Sequence, residues 1–284
     1  MTGSTVLLDQ LAFPKFPRWH ADRLWFSDVH DGRVWAMTEQ GQGEPVTAVE
    51  GWPAGLGWWP DGTLIVVSMN DRTLVAADRT GTTTPIAALD AFAAHPWNDM
   101  AVTTDGRAYI GEFGHDPLGD GAPDGARLVC VEPDGEAWVV AEDLLFPNGA
   151  AVLERADGVT LLVAETFGQR ISAYDVQADG SLARPRVWAD LRPNVPDGMC
   201  LDVEGALWVA DPVNEGVMRV VESVGAVAWV PFPGRSPYGC ALGGSDGHTL
   251  YVCTGASTNP ARTITERRGR VEALRVEVPG VTRS

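Results

Sequence analysis

Strand-like runs recur along this chain at intervals of 40 to 53 residues, and this repetition constrains the fold more than any other feature. Each run of β-branched and aromatic residues leads through a turn into a second. Leu24-Trp25-Phe26-Ser27-Asp28 is followed by Arg33-Val34-Trp35, Leu64-Ile65-Val66-Val67-Ser68 by Leu74-Val75-Ala76, and Ala108-Tyr109-Ile110-Gly111 by Leu128-Val129-Cys130-Val131. Three more pairs begin at Leu161 and Ile171, at Leu207 and Val217, and at Leu250 and Val271. The units start at 24, 64, 108, 161, 207 and 250, giving steps of 40, 44, 53, 46 and 43. Asp-Gly dipeptides at 61–62, 105–106, 157–158 and 246–247 mark tight connections between strands. No segment sustains the 3.6-residue apolar period of a helix. Six units, each able to hold four antiparallel strands, predict an all-β fold: a six-bladed β-propeller around a central channel, with 1–284 as a single domain. A blade cannot cover both its faces alone, so neighbours must pack about one axis and the ring must close. The strand-like stretch 6–8 is expected to pair with the terminal run 271–278, protecting both edges. The 53-residue third step predicts an insertion at 114–125, a loop over one face.

Charge narrows the partners. The net charge of -17 leaves no basic stripe for nucleic acid and disfavours anionic membranes. No run approaches the roughly 20 apolar residues of a membrane span, and the start lacks a basic segment followed by an apolar one. The expected compartment is the cytoplasm, and the expected partner a small-molecule substrate. Cys130, Cys200, Cys240 and Cys253 lack close metal-binding spacing and read as buried thiols.

Four stretches interrupt the strand pattern with polar residues among Pro and Gly: the segment around Lys15, then Pro96-Trp97-Asn98-Asp99, Pro147-Asn148-Gly149, and Pro196-Asp197-Gly198. Their equivalent placement in a propeller would direct them to one end of the axis. Lys15 is the only lysine, the other 20 of the 21 basic side chains being arginine. An amine can lose its proton and attack a carbonyl, which a guanidinium cannot. Lys15 is therefore a candidate reactive group, with an ordinary surface lysine as the alternative.

The chain also resembles the family of regucalcin (senescence marker protein), gluconolactonase and luciferin-regenerating enzyme. The likeness covers nearly the whole chain. It rests on Pro17-Arg18-Trp19-His20 before Leu24-Trp25-Phe26-Ser27-Asp28, Asn98-Asp99-Met100 before Asp105-Gly106-Arg107, Pro147-Asn148-Gly149, Pro196-Asp197-Gly198-Met199, and Tyr238-Gly239-Cys240-Ala241-Leu242. The resemblance implies one axial divalent metal, calcium or zinc, and hydrolysis of lactones or related esters. It also implies a metal held by an N-terminal Glu, two Asn-bearing loops and an Asp. Asn98, Asn148 and Asp197 match the last three, but Lys15 stands where the Glu belongs. A hard cation draws most of its affinity from anionic oxygens. At 4 Å a divalent ion and an ammonium repel by roughly 8 kcal/mol, even at an effective dielectric of 20. The expectation is thus no metal and no cofactor, with Ca2+ or Zn2+ at Asn98, Asn148 and Asp197 as the alternative.

Three functions remain open. In the first, Lys15 is a neutral amine forming a Schiff base in a lyase, aldolase or isomerase, with Asp197 moving protons and Asn98 and Asn148 orienting the carbonyl. In the second, Lys15 is a fixed cation in a lactone or ester hydrolase. In the third, the propeller is a non-catalytic binder. Phe16, Trp97, Tyr238 and His95 are candidate substrate contacts. Trp58 and Trp59 are expected to line the channel mouth or to pack between blades, and Glu165 with Arg170 to form a structural ion pair. Glu112, His115 and Asp116 are candidates for a lid.

Overall fold

The structure is a computed structural model that describes residues 3–116 and 125–281. The expected loop at 114–125 therefore falls largely outside the described residues. Six four-stranded antiparallel sheets form a six-bladed propeller. The first five blades use four consecutive strands each, for example Pro14–His20, Arg23–Asp28, Arg33–Met37 and Gly43–Ala48 in blade 1. The paired runs read from the sequence are the second and third strands of the blades. Blade 6 takes Ser236–Gly243, Thr249–Gly255 and Gly269–Arg275 from the C-terminal end and its outer strand, Thr5–Leu11, from the N-terminal end. Thr5 pairs with Ala273, Val6 with Glu272 and Leu8 with Val271, so the ring closes by strand pairing and not by packing alone.

The inner strands of blades 1 to 6 begin at Pro14, Pro53, Trp97, Pro147, Met199 and Ser236. Each packs against the inner strands of both neighbours, and these strands line the channel. Their N-terminal ends share one end of the channel, the upper face. The Asp-Gly connections lie at the other, lower end, where Gly62, Gly106, Gly158 and Gly247 all take positive φ. Apolar residues from facing sheets fill the space between blades, with Trp97, Trp188, Tyr109 and Tyr251 among the largest fully buried side chains.

One helix, Pro260–Glu266, sits in the upper loop of blade 6. Asn259 caps it by accepting from the Arg262 N–H at 3.3 Å, with proline at the first helical position. Seven residues make only two turns, too short for an apolar period to show in sequence. No helix among the described residues is long and apolar enough to cross a membrane.

Candidate functional site

The site is built by one turn repeated around the ring. Pro53-Ala54-Gly55, Pro147-Asn148-Gly149, Pro196-Asp197-Gly198 and Pro237-Tyr238-Gly239 stand at the top of blades 2, 4, 5 and 6. Pro14-Lys15-Phe16 and Trp97-Asn98-Asp99 occupy the same place in blades 1 and 3. In five blades the pairing register shifts after this point, a bulge that turns the middle residue out of the strand alternation and toward the axis. The third residue must be small in four blades. A Cβ on Gly149 would lie 2.6 Å from the Asp197 carbonyl oxygen, and one on Gly198 2.7 Å from the Gly239 Cα. Gly149 N–H donates to Asp197 O at 3.2 Å, and Gly198 N–H to Tyr238 O at 3.2 Å, tying each turn to the next.

The hub side chains are thus Lys15, Ala54, Asn98, Asn148, Asp197 and Tyr238. Lys15 and Asp197 retain only 6% and 5% of their surface, and Nζ of Lys15 lies 2.9 Å from Oδ1 of Asp197. The ammonium also stands 5.0 Å from the centre of the Phe16 ring, within range of a cation–π attraction. Phe16 is buried and holds φ at +56°, a conformation that a side chain rarely adopts. Burial pushes the Asp197 carboxyl up, and the Lys15 charge pulls it partly back.

The two amides are oriented by their neighbours. Asn98 Nδ2 donates to the Pro147 carbonyl at 3.1 Å. Asn148 Nδ2 donates to Thr166 Oγ1 at 3.2 Å, and that hydroxyl donates in turn to the Pro196 carbonyl at 2.9 Å. A carbonyl only accepts, so both amides must present their NH2 groups outward. This leaves Asn98 Oδ1 and Asn148 Oδ1 buried with no partner. Buried acceptors without donors are costly, and here they mark places where a ligand or water would donate.

Those atoms also test whether a divalent cation suits the site. Two neutral amide oxygens remain, but the carboxylate is already paired with an ammonium that would lie within a few ångströms of the ion. The donor set does not fit a divalent cation. No group of three His, Cys, Asp or Glu suited to a metal occurs among the described residues.

A second ion pair, between a partly exposed arginine and a fully buried aspartate, lies one step down the axis. Arg18 Nη2 contacts Asp99 Oδ1 at 2.6 Å and donates to the Met100 carbonyl at 2.8 Å. Asp99 also accepts from the N–H groups of Met100 and Ala150. It therefore fixes blades 1, 3 and 4 to one another.

Other expected site residues are distributed more widely. Tyr238 is a hub residue whose ring meets Phe13 edge-on at 4.8 Å, and burial pushes its phenol up. Trp97 is fully buried in the interblade core, so the contact with substrate expected of it is replaced by packing. His95 is half-buried in the upper loop before blade 3, close enough to Glu112 for its charge to act on that carboxylate. Glu112 is the buried last residue of a strand and accepts from the Arg127 N–H at 3.1 Å. His115 packs against Phe113 and Phe146, while Asp116 is the last residue described before 125. Trp58 and Trp59 lie at the lower face, lining a cavity of about 770 Å3 at the opposite end of the channel from Lys15. Their position follows from strand direction, which the sequence pattern leaves undetermined. Glu165 and Arg170 form the expected pair, with two contacts of 2.9 and 3.0 Å.

Sequence reasoning missed the Arg18–Asp99 pair and the residues two places ahead of each hub residue. Three of those are aromatic: Phe13, Trp52 and Phe146. Superposing the six hub turns on one another, four of them Pro-hub-Gly, would have found them.

Comparison with known proteins agrees with this architecture. Residues 13–256 match the family described as SMP-30/Gluconolactonase/LRE-like region. Pentonolactonase XacC of Haloferax volcanii is 25% identical over 265 residues, covering 89% of this chain and 85% of the relative. A 6-deoxy-6-sulfogluconolactonase of Pseudomonas putida is 27% identical over 161 residues, 55% of each chain. Among solved structures, a luciferin-regenerating enzyme superposes with a TM-score of 0.81 at 18% identity, covering 98% of both chains. The calcium-binding protein regucalcin from Agrobacterium tumefaciens superposes at 0.80 with 22% identity, covering 99% of this chain and 95% of that one. The repeated hub turn, the six blades and the extent of the match together place this chain in the SMP-30/gluconolactonase/LRE-like family.

Proposed function

We propose that this propeller hydrolyses a lactone or related ester at its hub, with Lys15 as a fixed cation in place of a metal. The observation that carries this reading is the buried 2.9 Å pair between Lys15 and Asp197 in a chain whose relatives include lactonases. The Schiff-base alternative needs a neutral amine. Neutralising Lys15 would leave the Asp197 carboxylate buried without its counter-charge, an arrangement that costs several kcal/mol. Two of the relatives, the pentonolactonase and the 6-deoxy-6-sulfogluconolactonase, are lactonases by name, which favours hydrolysis over the amine chemistry expected from the lone lysine.

The mechanism follows from donors and acceptors. The substrate carbonyl oxygen accepts from Lys15 Nζ, whose charge stabilises the oxyanion formed on attack. A water donates to the unpartnered Oδ1 of Asn98 or Asn148 and gives its second proton to Asp197. Burial raises the basicity of Asp197, which suits a general base. The water oxygen forms a bond to the carbonyl carbon, and the bond to the leaving oxygen breaks. Asp197 then returns the proton to that oxygen, and a hydroxy acid departs. No step requires a redox partner.

Acid release from a panel of lactones and esters tests the scheme. Lys15→Met is expected to lower kcat/KM by about 10²–10³, as loss of an oxyanion donor does, while Lys15→Arg retains part of the activity. Asp197→Asn is expected to cost at least about 10². Borohydride with ketones or aldehydes should leave the Lys15 peptide at unchanged mass. Covalent trapping on Lys15, or full activity in Lys15→Met, would overturn the proposal.

A further inference from the structure

The rim above the hub is aromatic where a polyol would need hydrogen-bonding groups. Phe13 stacks on His30 at 4.7 Å and meets the hub residue Tyr238 at 4.8 Å, and His30 lies 4.8 Å from Trp52. This makes one continuous wall from blade 6 across blade 1 to blade 2. A second wall stands between blades 3 and 4, where Phe146 packs on Phe113 at 4.9 Å and on Phe167 at 5.1 Å. Phe167 is 47% exposed, and Leu145 beside Phe146 is 40% exposed, so the second wall shows apolar surface to solvent. The hub position nearest Trp52 is only Ala54, which leaves the blade 2 side of the hub without a polar side chain.

Backbone conformation gives an independent sign. Trp52 and Phe146 hold φ at +69° and +59°, and each immediately precedes a proline of the hub turn. Large side chains in this region cost free energy of order 1–3 kcal/mol, and such outliers gather at ligand sites. Two arginines of the upper loops, meanwhile, are occupied by protein acceptors. Arg235 donates to Thr254 Oγ1 and to the Arg268 carbonyl, and Arg72 to the carbonyls of Ala93 and Ala94.

From this rim we infer that the substrate is a lactone or ester carrying an apolar aryl or alkyl group, not a polyhydroxylated sugar lactone. The inference rests on the hydrolase reading for its chemistry and on the rim for its selectivity. The reactive carbonyl sits at Lys15, and the apolar part lies between the partly exposed Trp52 and Phe146 walls. A sugar lactone in the same place would find the two free amide oxygens of the hub, but between the aromatic walls its remaining hydroxyls would lose hydration without replacement partners, which a binding site penalises heavily.

The test compares dihydrocoumarin with gluconolactone as substrates, and their non-hydrolysable lactam counterparts, dihydroquinolinone and gluconolactam, as ligands in calorimetry. The expected result is a kcat/KM at least about 10²-fold higher for dihydrocoumarin, with the ratio falling roughly tenfold or more in Trp52→Ala and in Phe146→Leu, each checked for an intact melting transition. Equal or better turnover of gluconolactone overturns the inference. Should neither lactone be hydrolysed, the hydrolase reading fails alone, and the lactams still decide the rim. Tighter binding of dihydroquinolinone by tenfold or more supports an apolar ligand, and equal or tighter binding of gluconolactam contradicts it.

Discussion

Lys15 and Asp197 belong together energetically as well as geometrically. Removing one member of a buried pair typically costs about 3–5 kcal/mol, because the other is left charged and unsolvated. The two amide oxygens beside them have no protein donor, so a ligand or water must supply one. His30 is the titrating residue of the rim. Its Nδ1 lies 2.7 Å from Thr263 Oγ1, and burial, then the nearby Lys15 charge, push it down to about 4 from 6.5. Because the fold holds this histidine neutral, the unfolded chain binds more protons between those values. The His30 contribution to stability is complete above pH 6.5 and is lost as pH falls through about 4. His20, also held down by burial, acts in the same direction. The melting temperature should therefore fall between pH 6.5 and 4, and fall less steeply in His30→Phe. Identical slopes in the two proteins would contradict this assignment.

At the scale of the strand, the hub turn matters more than the rest of the blade. Four glycines let the inner strands approach closely, and in blades 4, 5 and 6 the turns bond to one another. In Gly149→Ala the new Cβ would meet the Asp197 carbonyl oxygen at 2.6 Å and the Met199 nitrogen at 2.8 Å, both backbone atoms that cannot rotate away. Overpacking of this kind costs roughly 1–3 kcal/mol. Denaturant unfolding of Gly149→Ala should show that loss, and because Asp197 is displaced directly, hydrolysis should fall with it. Unchanged stability would mean that the blades can shift apart at the hub. The bulges behind these turns were not legible in the sequence. They depend on contacts between residues such as Gly149 and Asp197, which lie in neighbouring blades and follow no local pattern.

For the molecule as a whole, much of the architecture was legible because each blade repeats the same paired strands, and because the stretch 6–8 had an apolar partner at the far end. The candidate hub residues Lys15, Asn98, Asn148 and Asp197 were legible as interruptions of the strand pattern. Which end of the channel a residue occupies was not, since that depends on strand direction, and so Trp58 and Trp59 lie opposite the hub. Trp97 illustrates a related difficulty: at the first position of its inner strand it faces the interblade core, while the next residue, Asn98, enters the hub. The proposed mechanism depends on an ammonium standing in the electrostatic place of a metal on the axis. Calorimetric titration of the wild type and of Lys15→Glu with calcium and zinc tests it most directly. No micromolar binding is expected in the wild type, and binding by a site containing Asn98, Asn148 and Asp197 should appear in Lys15→Glu. Micromolar binding by the wild type that is lost in Asp197→Asn would contradict it.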